Sequence, residues 1–318
     1  MRALGWKTLM TLVLAATFAG GQQPAASAPS AREGLAEAWF TGPTLTPSAA
    51  TLPRGHALLE PYLFDVIGGH TNSFGSLTYA LYGVTDRLTV GVIPIAGYNL
   101  GSGGSSSAGV EWGDASTLAQ FRLAQFRPGT WVPTIAAVAE ETWPTGRYDR
   151  LGDRPSDGLG SGAHTTTLGL YSQTYFWLPT GRILRMRFNL TQAFSSRVKV
   201  RGVSVYGTGA GFLGRAAPGD SSYADASWEY SLTQRWVLAL DATYRHTGAT
   251  WVAGVNTLDP AASGIQLEPG SSDAFALAPA VEYNWRANLG VLLGVRVIPA
   301  SHNTAASLTP AVAINWVR

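Results

Sequence analysis

The chain of 318 residues contains no cysteine. This absence excludes a disulfide framework, thiolate metal sites and cysteine nucleophiles. Charge is also scarce, since only 13% of the residues are charged, compared with about 25% in a typical soluble domain. The formal net charge is only +2, and without a cluster of lysines and arginines it predicts no nucleic-acid partner.

A long apolar run is lacking as well. Arg2 and Lys7 precede an apolar segment from Leu9 to Ala19, which is far shorter than a transmembrane helix of about 20 residues. This pattern, followed by small residues, predicts a secretory signal peptide over residues 1–28. The cleavage site stays open between Ala19-Gly20-Gly21, Ala25-Ala26-Ser27 and Ala26-Ser27-Ala28. No later segment has the length of a transmembrane helix, so any membrane crossing must be made by strands.

Glycine and aromatic residues are abundant, with 37 Gly, 11 Trp, 12 Tyr and 11 Phe. Aromatic segments punctuated by glycine favour strands over helices. Apolar and polar residues alternate over segments of about ten residues, the length of a transmembrane β-strand. We predict about twelve strands, near His56 to Ile67, Phe74 to Tyr82, Arg87 to Tyr98, Gly113 to Phe126, Trp131 to Thr142, Thr165 to Trp177, Arg182 to Phe194, Ser222 to Leu232, Arg235 to His246, Asp273 to Trp285, Leu289 to Pro299 and Ala305 to Val317.

The connections between these segments alternate in length. Short turns such as Gly83-Val84-Thr85-Asp86 and Pro179-Thr180-Gly181 alternate with long loops such as Trp143 to His164 and Ser195 to Ser221. Outer-membrane barrels have short periplasmic turns and long extracellular loops. We therefore predict an all-β fold, a single antiparallel transmembrane β-barrel of about 12 strands over residues 56–318, with both termini in the periplasm of a Gram-negative bacterium.

Residues 29–55 are rich in Ala, Pro, Ser and Thr and show little periodicity. They predict a flexible N-terminal lead-in, with a short helix around Arg32 to Trp39 as an option. Whether this lead-in enters the lumen as a plug stays open at this point.

The two faces of the predicted strands differ in chemistry. Aromatic residues such as Trp236, Tyr283 and Trp285 lie beside short turns, where an interfacial aromatic girdle is expected. A charge on the lipid face costs about 2–4 kcal/mol at the membrane midplane, and the charged residues of these strands fall on the opposite face. We predict that they line the lumen, either setting a field across it or pairing with one another to fill it: Arg122, Arg185, Arg187, Glu229, Asp241, Arg245, Glu282 and Arg296.

The long loop that follows Trp143 also carries alternating charges. Its residues Arg147, Asp149, Arg150, Asp153, Arg154 and Asp157 form a candidate extracellular lid. His164 together with the aspartates is an alternative divalent-cation site, but the interspersed arginines favour a salt-bridged cap. We expect no metal and no cofactor.

Three motifs resemble a known family when taken in order. They are Gly83-Val84-Thr85-Asp86-Arg87-Leu88, Gly113-Asp114 at the start of a strand, and Pro144-Thr145-Gly146 at the end of one. From about Glu60 to the C terminus the chain resembles the MetA-pathway of phenol degradation family. This resemblance implies an outer-membrane barrel of the transporter type, linked to uptake of aromatic or other hydrophobic compounds, and it transfers no functional residues.

The expected function is passage of small molecules through the outer membrane, with membrane lipid and the barrel-assembly machinery as partners and an unidentified solute. Outer-membrane barrels commonly end in an aromatic residue recognised during assembly, whereas here Trp316 is followed by Val317 and Arg318. A non-conducting structural or surface-interaction barrel is the alternative. A less favoured alternative is a lipid hydrolase using Ser221, although no Ser-His-acid arrangement is evident in the sequence. We therefore expect no enzyme.

Overall fold

The computed structural model describes residues 32–69, 71–101, 105–259 and 264–318. The predicted signal peptide, residues 1–28, lies outside the described residues. No described helix is long and apolar enough to cross a membrane. The described part contains one short 3-10 helix, Pro155–Asp157, and these strands: β1 (Ala57–Ile67), β2 (Thr71–Thr85), β3 (Leu88–Ile93), β4 (Ile95–Gly101), β5 (Glu111–Trp112), β6 (Ala115–Ala124), β7 (Thr134–Trp143), β8 (Thr165–Trp177), β9 (Ile183–Ser195), β10 (Val198–Arg201), β11 (Phe212–Ala217), β12 (Ser221–Ser231), β13 (Trp236–Asn256), β14 (Ile265–Arg286), β15 (Leu289–Ile298) and β16 (Ser307–Val317).

The strands close into a barrel whose wall has twelve positions, in the order β1, β2, β3, β6, β7, β8, β9, β12, β13, β14, β15 and β16. Neighbouring strands are antiparallel, and β1 pairs with both β2 and β16, which closes the ring. β3 and β4 share one position and are interrupted at Pro94, because proline has no N–H for the strand ladder. The predicted antiparallel barrel of about twelve strands is confirmed.

The outer face of the wall is apolar. On β8 and β9, Leu170 lies opposite Leu190, and their side chains are 55% and 49% exposed. Near the short turns, the ring of Trp236 lies 4.7 Å from that of Tyr283, which in turn contacts Trp285. An exposed apolar band bordered by aromatic rings matches the lipid-facing surface of an outer-membrane barrel.

The inner face carries the polar residues, because successive side chains of a strand point to opposite faces. Arg185, Asn189, Glu229, Asp241 and Glu282 are all buried inside the barrel wall. The interior of the barrel is therefore polar where these five side chains lie, and the molecule has no single apolar core.

The two ends of the barrel differ. At one end, short turns join β2 to β3, β8 to β9, β12 to β13 and β14 to β15. β1 begins and β16 ends at this same end, where Ala57 and Arg318 exchange backbone hydrogen bonds. Following the general rule for outer-membrane barrels, we name this the periplasmic end and the other the extracellular end. One connection departs from the predicted alternation, because β1 and β2 are joined at the extracellular end by residues 68–70 only.

Two predicted loops contain strands. β13 and β14 continue well beyond His246 and Asp273, where the predicted strands ended, and β10 and β11 form a hairpin inside the loop predicted from Ser195 to Ser221. β11 pairs with residues 251–256 at the extracellular end of β13. The buried side chains of Val198, Val200, Phe212, Ala216 and Val252 pack together there. This small apolar core lies beyond the periodic membrane segment, which is why the barrel pattern alone did not predict it.

Residues 32–55, part of the predicted flexible lead-in, lie against the barrel. The possible helix around Arg32 to Trp39 is wrong, because the chain makes only a turn in which Glu37 N–H donates to Gly34 O at 2.9 Å. Glu33 N–H donates to Gly181 O and Trp39 N–H to Gln234 O, both in periplasmic turns. From there the segment enters the lumen.

Candidate channel lumen

The segment of residues 40–52, called the inner segment below, is held by two carboxylates of the wall. Glu282 accepts hydrogen bonds from Thr41 N–H at 2.7 Å and Gly42 N–H at 3.1 Å. Asp241 accepts from Leu45 N–H at 3.1 Å, and from the N–H and hydroxyl of Thr46 at 3.2 and 2.6 Å. Each of these two side chains accepts several hydrogen bonds from the inner segment, so together they anchor it to β13 and β14.

Donors from β9 hold the opposite side of the inner segment. Arg187 Nη1 donates to Thr46 O at 2.7 Å and Asn189 Nδ2 donates to Pro47 O at 3.0 Å. The Arg185 guanidinium lies 4.3 Å from the centroid of the Phe40 ring, within the range of a cation–π contact. The inner segment therefore crosses the lumen from β14 towards β9.

The segment then turns back to the periplasmic end. Gln120 Nε2 donates to Ser48 O at 3.0 Å, and the Ser48 hydroxyl donates to Gln173 Oε1 at 2.8 Å. Thr51 and Leu52 bond to Asp86 O and Thr89 Oγ1, next to the turn between β2 and β3. Because it enters and leaves at the same end, the inner segment fills part of the periplasmic half of the lumen.

An ion-pair cluster stiffens the wall behind this segment. Arg185 Nε donates to Glu229 Oε2 at 2.6 Å, and Arg187 Nε lies 3.1 Å from the same oxygen. Arg185 and Glu229 are direct cross-strand neighbours on β9 and β12, so the register of the barrel brings the opposite charges together. All three side chains are nearly inaccessible to solvent.

The eight predicted lumen residues thus fall into three groups. Five surround the inner segment or pair behind it: Arg185, Arg187, Glu229, Asp241 and Glu282. Arg122 lies two residues after the buried Gln120 on β6, and therefore on the same inward face, near the periplasmic end. Arg245 and Arg296 lie on the extracellular side of the inner segment: the Arg245 guanidinium is 4.7 Å from the Tyr223 ring, and Arg296 Nη2 is 3.4 Å from Thr309 Oγ1.

Two cavities remain beside the inner segment. The lower one has a volume of about 300 Å³ and extends from Glu140 and Tyr171 to Val317 at the periplasmic end. The upper one, about 210 Å³, is bordered by Phe64 and Arg296. Both are lined by Thr44, Leu45, Tyr62 and Tyr79. These four residues form the partition between the cavities.

The predicted lid residues lie in a loop that is bound into the extracellular mouth. Asp157 is buried, pairs with Arg147 Nη1 at 3.1 Å and accepts Ala108 N–H at 2.8 Å. Asn99 Nδ2 donates to Ser156 O, and the Leu159 side chain lies against Gly97 on the inner face of β4. The loop therefore covers the mouth on the side of β4.

The remaining lid residues connect this loop to its neighbours. Asp149 accepts a hydrogen bond from Arg201 N–H at 3.1 Å, and Arg150, which has a positive φ of 54°, donates its N–H to Arg201 O. The carbonyl of Asp153 accepts a hydrogen bond from the Ser105 hydroxyl. Arg154 N–H donates to Leu151 O. No cluster of three or more possible metal-ligating His, Asp or Glu side chains occurs within the described ranges.

A tyrosine joins the lid to the β10–β11 hairpin. The Tyr206 hydroxyl donates to Ser161 O at 2.5 Å. Burial raises the pKa of the Tyr206 phenol, and the nearby Asp114 carboxylate adds to the increase. The phenol thus stays protonated, as this donated hydrogen bond requires.

The hydrolase alternative is weakened by the position of its serine. Ser221 is adjacent in register to Thr247, whereas Ser222 on the outer face lies opposite His246. His246 Nδ1 is 2.8 Å from Asp273 Oδ1. The Ser222 hydroxyl, however, donates to Gln192 Oε1 at 2.5 Å and among the described residues has no hydrogen bond to histidine. A nucleophilic serine needs a base within hydrogen-bond reach, and among the described residues neither Ser221 nor Ser222 makes a hydrogen bond to a histidine.

A closed ring of antiparallel strands with an apolar outer band, a polar interior and unequal ends defines an outer-membrane β-barrel. The crystal structure of an outer-membrane channel from Pseudomonas putida F1 is similar to this barrel, with a TM-score of 0.63 at 15% identity, covering 86% of this chain and 100% of that one.

Two further solved structures overlap less well. The toluene transporter TodX from Pseudomonas putida has a TM-score of 0.38 at 10% identity, covering 90% of this chain and 98% of that one. The KdgM porin in complex with disordered oligogalacturonate has a TM-score of 0.42 at 8% identity, covering 81% and 98%. No family model matches the sequence, and no curated protein matches it. The resemblance to the MetA-pathway of phenol degradation family therefore stays a prediction.

Proposed function

We propose that this protein is an outer-membrane channel or transporter for small molecules, and that the inner segment narrows its periplasmic half. The observation that carries the proposal is the pair of cavities beside the inner segment, which meet at Thr44, Leu45, Tyr62 and Tyr79. Together they follow the lumen from the level of Arg296 to the periplasmic rim. A small movement of the partition joins them into one path.

Aromatic and hydrophobic compounds are the solutes that we propose. Tyr62, Phe64 and Leu77 give the upper cavity mainly apolar walls. For comparison, an apolar cavity of about 150 Å³ holds a benzene molecule, so a volume of about 210 Å³ fits a single aromatic ring with a small substituent. Sugars and peptides would lose most of their hydrogen bonds to water in such a cavity.

Solute flux into proteoliposomes tests this function. Liposomes containing the purified full-length protein should take up small aromatic solutes faster than empty liposomes and faster than liposomes with the boiled, unfolded protein. Equal uptake in all three preparations for every solute, with a folded barrel verified by its heat-modifiable gel migration, would exclude the channel function.

One observation favours the alternative of a surface-interaction barrel. The β10–β11 hairpin and the lid share an apolar core with Tyr148 and Tyr206 packed on it. The extracellular surface therefore has a folded structure of its own. Deleting residues 202–211 should abolish partner binding without changing permeability under this alternative. A change in permeability with no loss of a bound partner favours the channel.

We also propose the outer membrane as the location of the barrel, with membrane lipid around it and the barrel-assembly machinery as the partner that inserts it. The support is the apolar outer face and the exposed Trp316 near the end of β16. Depletion of the assembly machinery should move the protein from the heat-modifiable outer-membrane fraction to an unfolded periplasmic pool.

A further inference from the structure

The upper cavity combines an aromatic wall with a guanidinium. Tyr62 and Phe64 of β1 and Tyr79 of β2 line one side, and the rings of Tyr62 and Tyr79 meet edge to face at 6.1 Å. Gly75 makes room for Phe64, since a Cβ atom at residue 75 would lie 2.4 Å from the Phe64 ring. Arg296 and Thr309 line the other side.

Arg296 differs from the paired arginines of the barrel. Its Nε is buried and has no hydrogen-bond partner among the described residues, where the side chain makes one long hydrogen bond of 3.4 Å from Nη2 to Thr309 Oγ1. Among the described residues no carboxylate lies within salt-bridge distance of Arg296 or of Arg245, whereas Arg185 and Arg187 both pair with Glu229. A buried unpaired donor is costly, and a guanidinium presents several donors suited to a carboxylate.

We propose that the upper cavity binds a small organic anion, a carboxylate attached to an apolar ring. The carboxylate occupies the free side of the Arg296 guanidinium and the ring lies against Tyr62, Phe64 and Tyr79. This inference rests on the proposed function, because it makes the upper cavity a selective binding site on the path of the solute through the channel. Nearby Arg245 adds positive potential and favours an anion over a neutral ring.

Benzoate and its neutral analogue benzamide are suitable probes, because they share the ring and differ in charge. Isothermal titration of the full-length protein in detergent should show benzoate binding more tightly than benzamide. Arg296→Gln should weaken benzoate binding by about tenfold or more, the factor that corresponds to 1.4 kcal/mol, and should leave benzamide binding unchanged. Arg122→Gln, which removes an inward arginine remote from the cavity, is the matched control and should bind benzoate as the wild type does.

Equal affinity of the wild type for benzoate and benzamide would overturn the proposal, and this comparison needs no variant to fold. An unchanged benzoate affinity in a folded Arg296→Gln barrel would overturn it as well. Flux of both probes into proteoliposomes distinguishes a failure of the anion site from a failure of the channel function. Flux without preference for benzoate would refute the anion site and support the channel. Charge-dependent binding without flux of any solute would refute the channel and support the anion site.

Discussion

At the scale of single residues, two of the inward carboxylates, Asp241 and Glu282, hold the inner segment, whereas Glu229 pairs with arginines. Asp241 receives three hydrogen bonds from Leu45 and Thr46, and Glu282 receives two from Thr41 and Gly42. The sequence pattern predicts these acids on the inward face of the strands. Their hydrogen-bond partners could not be predicted from the sequence, because Thr41 and Glu282 are 241 residues apart and no periodic pattern links them.

Asp241→Asn is expected to loosen the inner segment. The substitution removes the negative charge and one acceptor oxygen, and hydrogen bonds to charged groups contribute about 1.5–3 kcal/mol each. Hydrogen–deuterium exchange of peptides covering residues 41–47 should become at least several-fold faster. Glu268→Gln, which changes an exposed carboxylate on the extracellular part of β14, should leave that exchange unchanged. Unaltered exchange in Asp241→Asn would show that this carboxylate does not hold the segment.

Gly75→Ala is expected to narrow the upper cavity. The added methyl would lie 2.4 Å from the Phe64 ring, so the ring must move into the space that it borders, and such overpacking costs about 1–3 kcal/mol. Flux of single-ring solutes into proteoliposomes should fall while the barrel stays heat-modifiable. Gly209→Ala is the control, because nothing lies within 4 Å of a Cβ atom at that residue. Undiminished flux in a folded Gly75→Ala barrel would argue against the upper cavity as part of the path.

At the scale of elements, alternation located the wall strands but misplaced some ends. The predicted ends at His246 and Asp273 coincide with a bulge, where the register of β13 with β14 shifts between Thr247 and Val252 opposite Gly270. Pro269 and Gly270 are ordinary signals of a turn, and Gly270 has a positive φ of 83°. Here the strand continues through the irregularity because the extracellular core with Val252 supports it.

The same absence of periodicity concealed the inner segment. Residues 40–52 contain proline and threonine and lack an apolar repeat, a composition that predicts a flexible connection. The segment obtains its order from wall residues far away in sequence. Its conformation therefore depends on a complete barrel and cannot be inferred from its own composition.

A pair of introduced cysteines tests the position of the inner segment without interference, because the chain has no native cysteine. Thr46→Cys combined with Asp241→Cys should form a disulfide on mild oxidation, since the two native side chains are in hydrogen-bond contact at 2.6 Å. Thr46→Cys with Ser222→Cys is the control, because Ser222 lies on the outer face. Electrophoresis with and without reductant reads the result. Equal yields in the two pairs would contradict the described path of the segment.

The extracellular hairpin provides a second element-scale prediction. Val200→Asp places a charge where the native side chain is fully buried, and burial of an unpaired charge is strongly unfavourable. Limited proteolysis within residues 196–220 should become faster, while the heat-modifiable migration of the barrel persists. Lys199→Asp, on the exposed face of the same strand, should have little effect. Joint loss of the hairpin and the barrel would show that they do not unfold separately.

At the scale of the whole molecule, the lipid environment explains why the architecture was predictable. The bilayer forces apolar side chains outward at every second residue of twelve neighbouring strands, so the pattern repeats and is readable. The lumen has no such constraint. Its eight predicted charged residues are distributed between an ion-pair cluster of Arg185, Arg187 and Glu229, two anchors for the inner segment, and three arginines without a carboxylate partner among the described residues, Arg122, Arg245 and Arg296. Their role in solute passage stays a prediction.

The inner segment is expected to narrow a channel through the whole barrel. This can be tested by single-channel conductance in planar bilayers, with the full chain compared to a variant that lacks residues 33–52 and is produced in the same way. We expect small or rare openings for the full chain and a several-fold larger, stable conductance for the deletion, because removal of the segment joins both cavities into one lumen. A deletion variant that folds, as judged by heat-modifiable migration, and yet conducts no more than the full chain would contradict it.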